Sequence, residues 1–122
     1  MNSLEISRYK KLIESSNVYD VALITPITRA NQLSKTLKNE ILLKREDLQP
    51  IFSFKVRGAY NKLAKLKQNG FTGPVIAASA GNHAQGVSYG AKNLGIKAYI
   101  VMPITTPSIK VDSVKNYGGK VI

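Results

Sequence analysis

The 122-residue sequence has no cysteine, no tryptophan and a single histidine, His83. Disulfides and thiolate metal sites are therefore excluded, and one lone imidazole leaves no ligand cluster for zinc. Acidic residues are scarce: 7 stand against 18 lysines and arginines, for a net charge of +11. Long hydrophobic runs are missing too. A stretch such as Ala98 to Met102 falls far short of the roughly 20 residues needed to cross a bilayer. Near the amino terminus Glu5 and Glu14 lie among Arg8, Lys10 and Lys11, with no apolar run behind them. That pattern fits neither a secretory signal nor an acid-free transit segment. The expectation is a soluble cytoplasmic protein that takes no membrane partner.

The charge is unevenly spread. Residues 1–50 hold 8 basic and 6 acidic side chains, whereas residues 51–122 hold 10 basic ones against Asp112 alone. A field of +9 attracts anions, nucleic acid among them. Yet the lysines at 62, 65, 67, 92, 97, 110, 115 and 120 stand singly, without an aromatic stacking platform or a helix-turn-helix pattern. A solvated basic surface accounts for them, and no nucleic-acid partner is expected. A basic nucleic-acid-binding α/β domain remains the alternative from outside enzymology.

From residue 74 onward, apolar runs alternate with helical periodicity. Val75–Ala78, Ala98–Val101 and residues 121–122 read as buried strands. Between the first two, Ala84, Val87, Ser88, Ala91 and Leu94 follow helical spacing, with Gly95 as a stop. A further helix is expected to open at Thr106-Pro107, a cap followed by proline, and to close at Gly118-Gly119. Even spacing of strands with helices between them implies βαβ units and a parallel sheet. Upstream, Val56, Ala59, Tyr60, Leu63 and Leu66 line one helix face, with residues 70–74 as its exit and Ser53 as its N-cap. Residues 41–44 are strand-like and Thr25-Pro26 marks a turn or strand entry. Residues 8–15 form an amphipathic helix with Ile6, Tyr9, Leu12 and Ile13 on one side, and Asn31–Leu37 is helical.

Two segments carry chemistry. One is Lys44-Arg45-Glu46-Asp47-Leu48-Gln49-Pro50 running into Ser53-Phe54-Lys55-Val56-Arg57-Gly58-Ala59; the other is Ser79-Ala80-Gly81-Asn82-His83-Ala84-Gln85-Gly86. Both sit where a strand or loop hands over to a helix, the place where α/β proteins build sites. Covalent chemistry by a lysine needs the neutral amine. A helix start disfavours the ammonium, and flanking Phe54 and Val56 would desolvate it. Taken alone, Lys55 also fits a lysine that snorkels from a helix end. Gly81-Asn82 at a helix start exposes backbone N–H groups that bind anions, and Asn82 offers an amide to an oxygen. Neither G-x-G-x-x-G nor a P-loop is present, so a dinucleotide or nucleoside triphosphate site has no support.

In combination, S-F-K-x-R-G-A and S-A-G-N-H-A-Q-G resemble the fold-type II pyridoxal-phosphate (PLP) enzymes, the tryptophan synthase β-like group, and within it the threonine dehydratases. The similarity runs from about Val18 to Ile122 and includes K-R-E-D-x-Q-P, I-V-M-P and Y-G-G. It implies an α/β fold: a parallel-sheet three-layer domain, incomplete at the carboxyl terminus. Residues 1–50 would begin the larger domain, and residues 51–122 would form most of the smaller one. It further implies that Lys55 holds PLP covalently, that Phe54 packs near the cofactor ring, and that Asn82 bonds its 3′-oxygen. Ser79, Gly81, Asn82 and His83 would grip the substrate carboxylate. Phe52 departs from relatives that carry a smaller or polar residue there, which puts local packing in question.

The resemblance also separates reactions. A serine racemase of this group has a serine where Ala80 stands, and alanine has no proton to give. Ala80 therefore favours elimination. Gln49-Pro50, where many relatives have Thr-Gly, is similar to the biosynthetic rather than the catabolic dehydratases. The implied reaction takes L-threonine, or L-serine as a second substrate, with Lys55 removing the Cα proton, and yields 2-oxobutyrate and ammonia from threonine. Another fold-type II enzyme, such as a serine dehydratase or racemase, is the alternative within the group. A non-catalytic module that keeps the lysine loop as a relic is a further one. Members of the group are longer, and their phosphate-binding glycine loop, pyridine-nitrogen partner and regulatory domain lie downstream. This chain alone is therefore expected to be inactive and poorly soluble, and the full-length protein to be a homo-oligomer.

Overall fold

A computed structural model describes residues 2–122. The chain opens with helix α1, Ser3–Glu14, and continues through strand β1, Ile27–Arg29, helix α2, Asn31–Leu37, and strand β2, Leu42–Lys44. Helix α3 spans Lys55–Gln68. The alternating part follows: β3, Val75–Ala78; α4, Asn82–Leu94; β4, Ala98–Val101; α5, Ser108–Asn116; and β5, Lys120–Val121.

Strands β3, β4 and β5 pair in parallel, in that order, as the apolar runs imply. Register places Val75 opposite Ala98, Ala77 opposite Ile100, and Ile100 opposite Val121. All of these belong to one core with Ala59, Leu63, Ala84, Val87, Ala91 and Val114. Helices α3, α4 and α5 thus cover one face of the sheet, and alternation sends the intervening side chains to the other. On that other face Ile76 is 70% exposed and Val101 is also open to solvent. The β1–β2 pair is antiparallel and separate from this sheet.

Helices α3 and α4 run side by side in the same direction. A Cβ on Gly86 would meet the start of α3 (Lys55, Ala59), and one on Gly90 would meet its next turns (Tyr60, Leu63). Small residues let the two axes approach closely, and both helix starts consequently lie at the carboxyl end of β3.

Several local expectations change. Helix α1 begins at Ser3, not residue 8, because Asn2 and Glu5 form a reciprocal capping box. Its apolar stripe covers nothing: Ile6, Tyr9, Leu12 and Ile13 are all exposed. Helix α5 starts at Ser108 with Pro107 as cap residue, and the Thr106 hydroxyl makes no capping bond; its oxygen is buried without a partner. The last strand is Lys120–Val121, one residue earlier than the apolar run suggests. Gly95 adopts the left-handed conformation (φ +68°) that ends α4, as expected.

Candidate functional site: the paired starts of two parallel helices

Lys55 is the first residue of α3, and Phe54 precedes it. The N-cap is Phe54 and not Ser53 as expected; Ser53 stands one residue earlier, and its Oγ accepts the Lys55 N–H at 3.3 Å. The expected desolvation of the lysine is not present. Lys55 and Phe54 are both exposed, and the Lys55 ammonium lies 5.0 Å from the centre of the Phe54 ring, a cation–π approach rather than a burial. Among the described residues no carboxylate pairs with Lys55.

The second segment follows β3 directly. Ser79 continues the ladder through its N–H to the Val101 carbonyl at 3.1 Å, and its Oγ accepts from the Gly81 N–H at 3.3 Å. Gly81 precedes α4 in extended geometry and places no side chain on the helix start. The N–H groups of the first turn therefore keep their capacity for an anion. Asn82 and His83 are exposed, and Ser79, Ala80 and Gly81 are half-buried. His83 also lines an apolar hollow with Gly58, Lys62 and Val87, on the α3 side of the helix.

What joins the segments is Gly86. A Cβ there would stand 3.1 Å from the Lys55 carbonyl oxygen. Asn82 lies four residues, about one turn or 5–6 Å, before Gly86 on α4. Lys55, Asn82 and the open start of α4 thus lie at one end of the sheet, whereas the first N–H groups of α3 are already bonded to Ser53 and Phe54. Neither first turn carries an acid. Such a corner suits a ligand with anionic groups and a carbonyl that an amine can attack.

Sequence reasoning missed the network that braces this corner. The Glu46 carboxylate accepts from Arg57 Nε at 2.8 Å and its terminal nitrogen at 2.9 Å, and from Thr25 Oγ1 at 2.6 Å. Gln49 adds longer bonds to it at 3.3 and 3.4 Å, and exchanges two 2.9 Å bonds with the backbone of Leu23. Lys44 donates to the Thr25 carbonyl. The forked bonds from Arg57 hold the Glu46 carboxyl at about 2, against the cost of partial burial and with help from Thr25 and Gln49. Lys44, Glu46 and Gln49 of the K-R-E-D-x-Q-P motif thus form a brace, while Arg45 and Asp47 pair with each other nearer the surface. The brace's signal in the sequence was a lone Glu-x-x-Gln beside an Arg two residues past the lysine.

Phe52 resolves differently from expectation. Its side chain is 75% exposed, so no packing is disturbed, but its backbone is left-handed at φ +55°. Glycine at this position would relieve backbone strain, whereas the exposed ring leaves no core clash to relieve. Across the turn, the Tyr117 hydroxyl donates to the Pro50 carbonyl at 2.9 Å, and Tyr89 meets the Tyr117 ring edge-on at 5.7 Å.

Parallel strands with a site at their carboxyl ends define an α/β ligand-binding class. The sequence model described as "Pyridoxal-phosphate dependent enzyme" matches residues 18–122, and the chain belongs to that family. It is 54% identical over 116 residues to the L-threonine dehydratase biosynthetic IlvA of Pasteurella multocida, covering 95% of this chain and 23% of that protein. It is 56% identical over 114 residues to threonine dehydratase 1 biosynthetic, chloroplastic, of Solanum lycopersicum, covering 93% and 19%. The solved structure of the processed form of threonine deaminase isoform 2 from Solanum lycopersicum superposes with a TM-score of 0.92 at 48% identity, over 100% of this chain and 34% of that one. The chain thus spans about a fifth of the length of these curated relatives. The corner fits part of what the family's cofactor needs: a primary amine with no carboxylate paired to it among the described residues, an adjacent aromatic ring, an exposed amide on Asn82 and open N–H groups at the start of α4.

Proposed function

We propose that this chain forms the cofactor-lysine segment of a threonine ammonia-lyase, which converts L-threonine to 2-oxobutyrate and ammonia in isoleucine biosynthesis. The observation that carries this reading is the close approach of Gly86 to the Lys55 backbone, which brings the first residue of α3 next to the first turns of α4. Bound PLP supplies an electron sink for the charge left when the substrate loses its Cα proton. The chain's own groups bind, orient and move protons. Lys55 Nζ would hold the cofactor and, as the general base, would take the Cα proton of the substrate. Phe54 would pack by the cofactor ring, and Asn82 would donate its amide to the 3′-oxygen. Ser79, Gly81, Asn82 and His83 form the carboxylate side, where the first-turn N–H groups of α4 stabilise negative charge. Ala80 offers no proton on the opposite face, which favours elimination over racemisation. L-serine is the expected second substrate.

Residues 1–50 begin the larger domain in this reading, and residues 51–122 supply most of the smaller one. Ala22 packs with Ile51 and Val56 where the two segments meet. Cytoplasmic placement and homo-oligomer formation of the full-length protein belong to the same proposal. The exposed stripe of α1 offers surface for such assembly, and sizing of the full-length protein checks it. The direct test is a full-length chimera carrying residues 1–122 in place of the matching segment of a biosynthetic relative. It should form 2-oxobutyrate from L-threonine, and its Lys55→Ala variant should fall to background. Equal turnover by both proteins would overturn the assignment.

A further inference from the structure

Helix α3 begins without a side chain from its cap residue Phe54 on its first turn, and the 3.3 Å bond from Ser53 is long. Its first turn is held from the sides instead. Gly86 abuts the Lys55 carbonyl on one flank. On another, Arg57 is locked to Glu46 by two bonds of 2.8 and 2.9 Å and reaches the Leu23 carbonyl at 3.1 Å. Glu46 is itself fixed by Thr25 and Gln49, so the brace spans three separate stretches of chain around residues 23–25, 46–49 and 57. It is shielded as well: the side chains of Glu46 and Arg57 are 17% and 24% exposed, whereas the ion pairs Lys10–Glu14 and Arg45–Asp47 are more exposed.

We propose that Glu46 is a positioning residue for Lys55, holding the first turn of α3 through Arg57 so that the amine projects to one place. The proposal rests on the reading of Lys55 as the cofactor lysine. A bidentate guanidinium–carboxylate pair fixes orientation as well as distance, which a lysine or a lone hydrogen bond does not. The Arg57 side chain leaves the helix two residues after Lys55, so tilting or rotating the first turn must break that fork. A reactive amine misplaced by about 1 Å costs on the order of a hundredfold in rate. An amine that is covalently anchored but wrongly aimed should lose turnover more than substrate binding.

The experiment uses the full-length chimera with bound cofactor. Glu46→Gln keeps shape and loses charge, Arg57→Lys keeps charge and loses the fork, and Glu46→Asp restores a carboxylate on a shorter stem. For Glu46→Gln the expected result is a kcat per bound cofactor lower by roughly tenfold to a hundredfold, with KM within about threefold. Borohydride trapping on Lys55 should still occur, and Glu46→Asp should recover part of the loss. A kcat per bound cofactor unchanged in Glu46→Gln would show a brace that serves stability alone and would overturn the proposal. If Glu46→Gln does not fold, Arg57→Lys and Thr25→Val decide on the same measure. Lys55→Ala run in parallel separates the failures. Trapped cofactor in that variant overturns the lysine assignment, whereas its loss together with full activity of the Glu46 variants overturns only the positioning role.

Discussion

Gly86 and Lys55 meet through their backbones: a Cβ on Gly86 would stand 3.1 Å from the Lys55 carbonyl oxygen and 3.2 Å from the Cβ of Ala59. Both neighbours belong to α3, one of them to its backbone, so neither can swing aside. Gly86→Ala should push α4 away from the start of α3. The expected cost is about 1–3 kcal/mol of stability, read by denaturant unfolding, together with weaker cofactor retention. A variant as stable as the parent would show that the helices have room to spare.

Glu46 gives the pH dependence its sign. Its carboxyl is held at about 2 in the folded chain, chiefly by Arg57, against an ordinary value of 4.5. A depressed folded value stabilises the fold above the unfolded value and is lost as pH falls through the folded one. The contribution, of order 1–3 kcal/mol given its residual solvent contact, should therefore drain away between about pH 4.5 and pH 2. Unfolding curves measured across that window should be steeper in pH for the parent than for Glu46→Gln.

Gly119 is the tightest glycine. A Cβ there would overlap Ser88 Oγ and stand 2.8 Å from Val114 Cγ1. Ser88 is buried and its hydroxyl is tied to the Ala84 carbonyl at 2.8 Å, so it cannot retreat. Gly119→Ala should destabilise the chain by about 1–3 kcal/mol. Combining it with Ser88→Ala should return part of that loss, because the nearest obstacle is gone. Strict additivity of the two changes in a double-mutant cycle would contradict this contact.

Much of the parallel sheet was legible because local chemistry and tertiary role agree there. Val75–Ala78 and Ala98–Val101 are short apolar runs bounded by turn residues, and both are strands over those residues. Asn31–Leu37 and the Gly95 stop follow from helical spacing and a left-handed glycine. The brace was not legible, since Glu46 meets partners 21 and 11 residues away, and no local period records such pairings. Thr106 looked like a cap because its type suits one, yet the chain turns so that its hydroxyl faces inward. The exposure of Lys55 also escaped: apolar neighbours in sequence need not fold over the residue between them.

Ala80 bears on the choice of reaction. It sits half-buried in the loop between β3 and α4, next to Ser79 and Gly81. In the full-length chimera, Ala80→Ser should add measurable racemisation of L-serine while elimination persists. Chiral analysis of recovered serine reads this directly, and a variant that forms no D-serine would remove Ala80 from the account of specificity.

The identity of the cofactor lysine is the most direct test of all. The full-length chimera should be loaded with PLP, reduced with borohydride, digested and mapped by mass spectrometry. The expected result is a single phosphopyridoxyl mark on Lys55, absent from the Lys55→Ala protein. A mark on another lysine with Lys55 untouched would contradict the assignment of the site.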